Sequence, residues 1–205
     1  MADRVPLDFD PPARQLRSLL LGIGEVELAG PTPCQGWTVA ALLVHLMGVS
    51  AAFAQAARKL TGVPGTDGPP PQPRAADLPT YWRSRMPVLI EELAAAWRDP
   101  MAWTGTSQVG GVPMPAATIG AFGMNELVVH SWDLAKATGQ DYAADPRILE
   151  ALVELLSQGP SGLFGPVVEY EDEGSLLDQV VSLAGRDPRW KPGRNLSSPS
   201  TSAAE

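Results

Sequence analysis

Between Pro100 and Trp132 the chain holds two titratable side chains of the Asp, Glu, Lys, Arg, His or Cys type, Glu126 and His130, and they stand four residues apart. On a helix that spacing puts both on one face, roughly 5–6 Å apart at Cβ. Asp133, three residues further on, borders the same face. His45 is isolated in the same way, as the one charged or imidazole side chain between Glu27 and Arg58. A buried carboxylate is costly unless it is paired or bound to a cation. Two imidazoles and one carboxylate supply three protein ligands for a divalent ion and leave further positions for water or substrate. The same residues also admit a plainer arrangement, in which each histidine is a packed core residue and Glu126 is simply the hydrogen-bond partner of His130. A metal centre and a structural hydrogen bond both stay open at this point.

The elements that must carry these residues read as helices. Residues 12–28 place Leu16, Leu19, Leu20, Ile23, Val26 and Leu28 at spacings dominated by three and four, with Gly22 and Gly24 working against the helix. Thr38 suits the N-cap of a second helix that runs to Leu60 and is apolar nearly all round, hence central, with His45 in its second turn. Residues 62–79 contain six prolines and three glycines and predict an extended connection whose length suits a crossover. A third helix is expected over Thr80 to Arg98, kinked by Pro87 or starting near it, followed by a loop over 99–113. The fourth, carrying Glu126 and His130, begins near Pro115 and stops at Gly139. A fifth opens with Asp145 as N-cap and Pro146 in the first turn; a short strand is expected within 163–173 and a last helix within 175–185. The result is an all-α bundle in which sites are built from side chains projecting inward from facing helices. The domain is expected to span 1–190, with 191–205 a solvated tail. Cys34 reads as a structural residue of the tight "TPCQGW" loop, Trp37 and Trp132 as packing residues, and Asp133 as an acceptor orienting a ligand histidine or as an ion-pair partner of Lys136 or Arg147. The walls of any pocket are expected from scattered apolar positions and from the 62–79 and 99–113 loops.

Bulk properties exclude several classes. An apolar fraction of 44% in 205 residues, with a mean hydropathy near zero, is that of an ordinary globular domain. The start "MADRVPLDFDPP" carries charge and proline where a signal peptide needs an apolar core, so a cytoplasmic location is expected. The uncharged run from Leu28 to Ala57 is interrupted by Pro31, Pro33, Gly36 and His45 and is a poor membrane span. A net charge of −8 disfavours nucleic acid as a partner. One cysteine permits neither an internal disulfide nor a CxxC-type zinc site.

Two stretches carry a resemblance. "TPCQGWTVAALLVHLMG" and "NELVVHSWDLAKATGQ" are similar to the TPCxxWTVxxLxxHL and (D/E)xxxHxWDLAxATG signatures of actinobacterial proteins related to the metal-binding domain of mycothiol-dependent maleylpyruvate isomerase, in the DinB/YfiT-like superfamily. The closing "GLFGPVV" and "LAGRDPRW" extend the resemblance from about residue 12 to Trp190. It implies a DinB-like four-helix bundle with a long helix 2–helix 3 crossover and small C-terminal additions. It also implies that His45, Glu126 and His130 are the metal ligands, with zinc the first expectation and nickel, iron, manganese or cobalt compatible. The implied chemistry is a mycothiol-dependent transfer or isomerisation of a small molecule; the alternative is a non-catalytic metal-binding, sensing or structural bundle. The isomerase carries a second, C-terminal domain for which 205 residues leave no room. Three lysines against twelve arginines fit an actinobacterial source, and the protein is expected as a monomer or homodimer.

Overall fold

Thr38 accepts a hydrogen bond from the Ala41 amide at 3.3 Å and starts α2 (Val39–Ala57), whose buried residues spread around most of its circumference. That all-round apolarity fixes its place: α2 lies against both α3 (Trp82–Trp97) and α4 (Ala116–Thr138). By length and composition alone α2 could cross a membrane, but most of that stretch is buried inside the bundle, as in a core helix. The computed structural model describes residues 6–158, 165–169 and 174–193.

Ion pairs and side-chain contacts show the direction of each helix. Arg98, just past α3, binds Asp10 at the start of α1 (Asp10–Leu21), while Arg83 near the start of α3 reaches the Ile23 carbonyl at 2.7 Å, so α1 and α3 are antiparallel. Gln140, just past α4, donates to the Leu19 carbonyl at 3.1 Å, so α1 and α4 end together. His45 meets Glu126 while Phe53 packs at Gly123, so α2 and α4 are antiparallel. It follows that α2 and α3 run parallel, and parallel neighbours need a connection that returns the length of a helix. Residues 58–81 are that crossover. This is the all-α bundle with a long helix 2–helix 3 crossover expected from the sequence.

The crossover is more ordered than its composition suggested. The 99–113 segment, expected as a loop, contains a one-turn 3-10 helix (Pro100–Trp103) and a hairpin of β1 (Thr106–Val109) and β2 (Val112–Pro115), antiparallel with Ser107 opposite Met114. Its two-residue turn is Gly110–Gly111 with φ of 61° and 81°, the left-handed geometry such a turn requires. The turn amides of Gly110 and Gly111 donate to the carbonyls of Gly65 and Thr66, pinning the start of the crossover to the hairpin. Ser107 Oγ donates to the Ala56 carbonyl near the end of α2. The hairpin therefore sits at the end of the bundle away from His45, eleven residues and about 16 Å along the α2 axis, and does not wall the histidine site as expected.

Other differences have local causes. The first helix stops at Leu21 instead of running to 28, since Gly22 and Gly24 follow and a one-turn 3-10 segment (Glu27–Ala29) replaces its last turn. Pro87 lies inside α3, beyond its first turn, and deprives the Arg83 carbonyl of its helical donor. Gly139 closes α4 at φ 66° as expected. Asp145 accepts from the Arg147 amide at 2.8 Å and opens α5 (Pro146–Gln158). A reciprocal Ser175–Asp178 capping box opens α6 (Leu176–Leu183). Within the strand expected over 163–173, residues 165–169 form a connection whose Val168 amide donates to Ser182, and the remainder lies outside the described residues, as does 194–205 of the expected tail.

The end away from His45 is held by rings. Phe9 stacks on Trp97 at 5.7 Å, Trp97 meets Trp103 edge-on at 4.8 Å, and both indoles press on Gly120 of α4. A Cβ added at Gly120 would stand 2.5 Å from Trp103 Cζ3 and 2.8 Å from Trp97 Cζ3. Trp97 is buried, and Trp103 is tied to it by its indole N–H, which donates to the Trp97 carbonyl at 2.8 Å. Gly120→Ala, which gains about 1 kcal/mol of helix propensity, is nevertheless expected to lose about 1–2 kcal/mol net through overpacking; a urea denaturation midpoint lower than wild type is the check.

Candidate functional site

The sequence places His45 two turns into α2 and Glu126 and His130 one turn apart on α4, and the antiparallel crossing brings all three together. Glu126 Oε2 lies 2.9 Å from His45 Nε2 and 3.1 Å from His130 Nε2. One donor atom from each residue falls within a group no wider than 4.8 Å. The two imidazole rings meet edge-on with centroids 4.7 Å apart. Burial is graded: His45 and Glu126 side chains are 13% and 18% exposed, His130 7%, and Asp133 0%.

Behind His130 the contacts continue. Its Nδ1 stands 2.9 Å from Asp133 Oδ2, and the same oxygen accepts from Arg186 Nη2 at 3.2 Å. Asp133 is thus the acceptor that orients His130, and the ion-pair partner is Arg186 instead of the expected Lys136 or Arg147. Lys136 places its amine over the Trp132 ring, 5.4 Å from the centroid. Arg186 was not among the candidate residues. It follows α6 and the turn at Gly185, φ 80°, which turns the chain back so that the guanidinium enters the bundle. The small C-terminal helices therefore deliver a cation to the site.

The protonation states follow from this arrangement. Burial opposes ionisation of Glu126, but the hydrogen bonds from His130 and His45 outweigh it and hold the carboxyl well below the usual carboxylate range. Burial likewise works against a charged His130; the hydrogen bonds to Asp133 and Glu126 prevail and raise its pKa. With a carboxylate oxygen at each ring nitrogen, His130 serves both contacts only when both nitrogens carry protons. If the Nε2 proton leaves, Nδ1–H still donates to Asp133 and the free lone pair at Nε2 faces the other two donors. An imidazole so anchored, beside a second imidazole and a carboxylate, has the chemistry and the separations to hold a divalent first-row ion.

Cys34 precedes α2 and lies 3.7 Å from Arg186 Nη2. Burial pushes its thiol up to about 11, more than the neighbouring guanidinium can offset. Trp37, from the same loop, covers both imidazoles, with ring centroids 4.9 Å from His45 and 6.0 Å from His130.

The comparisons with known proteins fit this geometry. The Mycothiol maleylpyruvate isomerase N-terminal domain profile matches residues 9–135, more than half of the chain and all of the segments that carry His45, Glu126, His130 and Asp133. The chain belongs to this family. Two uncharacterized proteins from strains of Mycobacterium tuberculosis are 27% identical over 179 residues, which cover 84% of this chain and 92% of each relative. Among solved structures, mycothiol-dependent maleylpyruvate isomerase and a histidine-to-alanine mutant of it share the fold, with TM-scores of 0.61 and 0.63 and identities of 20% and 21%. Each match covers 87% of this chain and 86% of the isomerase chain. That share exceeds what 9–135 supplies, so the likeness in fold runs past that stretch, and the expectation that this chain leaves no room for the isomerase's later portion is corrected by the 86% of the isomerase chain that is matched.

At pH 8 a thiol at about 11 is some 100-fold poorer in thiolate than one at the ordinary value of 9.0. Iodoacetamide is therefore expected to label Cys34 about 100-fold more slowly in the native protein than in the urea-unfolded chain, read by mass spectrometry.

Proposed function

We propose that His45, Glu126 and His130 hold a divalent metal ion, zinc in the first instance, and that the chain catalyses a thiol-dependent transfer or isomerisation of a small molecule with mycothiol as the thiol. The observation that carries this reading is the anchoring of His130: Asp133 at Nδ1 leaves Nε2 for the centre where the other two donors converge. Three protein donors leave coordination positions open, which favours a catalytic over a closed structural site. In this reading residues 1–190 act as one cytoplasmic unit.

Charge supports the choice of substrate class. Asp133 and Arg186 cancel, and Glu126 with two neutral imidazoles around a divalent ion leaves about one net positive charge. An anionic or easily deprotonated group is then favoured at the open side. When bound, the ion supplies Lewis acidity that keeps a thiol deprotonated near neutral pH. The chain's own residues do the rest. His130 is held in one tautomer by Asp133, Arg186 donates to the same Asp133 oxygen from behind, and Glu126 and His45 stand at the accessible side while His130 and Asp133 lie behind.

Purified protein is expected to contain about one equivalent of a divalent metal by elemental analysis, lost in both His45→Ala and His130→Ala. Calorimetric titration of the metal-loaded protein with mycothiol is expected to give saturable binding; no binding would remove the thiol chemistry while leaving the metal site standing.

Metal binding must depend on pH in a defined direction. The raised pKa of His130 keeps its Nε2 protonated at and above the ordinary imidazole value of 6.5, so a proton has to leave when an ion arrives. Glu126, depressed below its ordinary 4.5, brings no competing proton in that range. Apparent affinity is therefore expected to climb about tenfold per pH unit until the pH passes the His130 pKa, and to flatten above it, in titrations with a chromogenic chelator.

A further inference from the structure

Trp37 is fixed before its side chain is considered. Its amide donates to the Cys34 carbonyl at 3.0 Å, and its own carbonyl accepts from both the amide and the hydroxyl of Thr32, at 3.1 and 3.0 Å. The neighbouring Thr38 pairs with Pro31 and caps α2, and the Val39 amide donates to Gly30. Gly36 at φ 81° makes the reversal that feeds the chain into this clamp. The loop is thus part of the start of α2, and the indole is presented from rigid backbone.

The indole lies against two rings that belong to different helices. It is nearly parallel to His130, at 22°, and tilted by 55° to His45. The χ2 torsion of histidine is broad and two-fold, so a ring's plane needs an external constraint. Asp133 supplies one for His130 through Nδ1, behind the ring. His45 meets Glu126 at Nε2 in front, and its ring lies tilted against Trp37, centroids 4.9 Å apart.

We propose that Trp37 is a positioning residue of the site: its indole sets the planes of His45 and His130 relative to each other, so that the two Nε2 atoms converge on Glu126. The inference rests on the metal reading above for its consequence, though not for its geometry. An indole stacked nearly parallel to one imidazole and tilted against the other resists rotation of either ring, and it closes the side of the site toward the 31–38 loop. The packing role expected for Trp37 and this role are one contact, with its effect carried to the donor atoms.

The test compares wild type with Trp37→Phe, Trp37→Leu and Trp37→Ala by Co(II) titration, followed through the visible ligand-field absorption, with far-UV circular dichroism as the check on folding. Loss of the ring in Trp37→Ala is expected to weaken Co(II) binding about 10–100-fold, the usual cost of removing a residue that orients a ligand, and to change the absorption envelope. Trp37→Phe, which keeps a flat face, is expected to recover most of the affinity, whereas Trp37→Leu, which keeps apolar bulk without a plane, is expected to recover little and carries the test if the alanine variant does not fold. Wild-type affinity and spectrum in both Leu and Ala variants would overturn the proposal and leave the metal reading intact. Failure of wild type to bind Co(II) would instead overturn the metal reading. The geometric claim is then decided in metal-free protein, where the imidazole C–H proton resonances of His45 and His130 are expected to move in Trp37→Leu as the indole ring current is lost, and unmoved resonances would overturn it.

Discussion

Everything at this end of the bundle follows from burying the Glu126 carboxylate between α2 and α4. An anion withdrawn from water is tolerated only where cations or donors meet it. Glu126 receives two imidazole nitrogens on one oxygen, His130 then needs an acceptor on its other nitrogen, and Asp133 in turn needs a cation, which Arg186 supplies. Negative, positive, negative and positive groups alternate from the accessible rim to the interior. Remove one and its neighbours are left as uncompensated charges, so the group behaves as a unit.

The topology exists to make that chain of contacts reachable. In a simple up-down-up-down bundle, adjacent helices need only short loops. Here α2 and α3 run the same way, at the cost of a 24-residue crossover over 58–81. What the arrangement gives is α4 antiparallel beside α2, with the start of one helix and the end of the other at the same end. His45, Glu126, His130 and the Trp37 loop gather there. The opposite end carries the Phe9, Trp97 and Trp103 cluster and the hairpin that pins the crossover. The aromatic cluster thus lies at the end opposite the site, and the polar groups of the site lie where Arg186, just after α6, enters the bundle.

Much of this was legible because local signals were strong. Thr38, Gly139, Asp145 and Pro146 mark helix ends through capping chemistry that acts within four residues, and all four stand where expected. The triad was legible for a different reason: a charge in an otherwise apolar helix has to be met by something, and three such residues have mainly each other. Arg186 was not legible, since it is one of twelve arginines, 53 residues from Asp133, and only the fold shows which of them turns inward. The hairpin was missed although Gly110–Gly111 announces a two-residue turn, because strands of four residues with Pro113 and Pro115 give no alternating pattern long enough to read. The end of the first helix was misplaced for the opposite reason: apolar residues continued to 28 at helical spacing, but two glycines within three residues cost more than those side chains return, and Val26 is left exposed.

The gradient of burial tells from which side the site works. Asp133 is fully enclosed and His130 nearly so, whereas His45 and Glu126 keep contact with solvent. The rigid part of the site is therefore the part furthest from water, where hydrogen bonds are strongest and least exchanged. The indole of Trp37 closes one flank, and the anchor behind His130 closes another. What remains is an approach past Glu126 and His45, the two members that keep contact with solvent. A chain with a net charge of −8 would otherwise repel small anions. In the metal-bound state proposed above, a local inversion of sign at one end of an acidic molecule would direct such a group to where three donors meet.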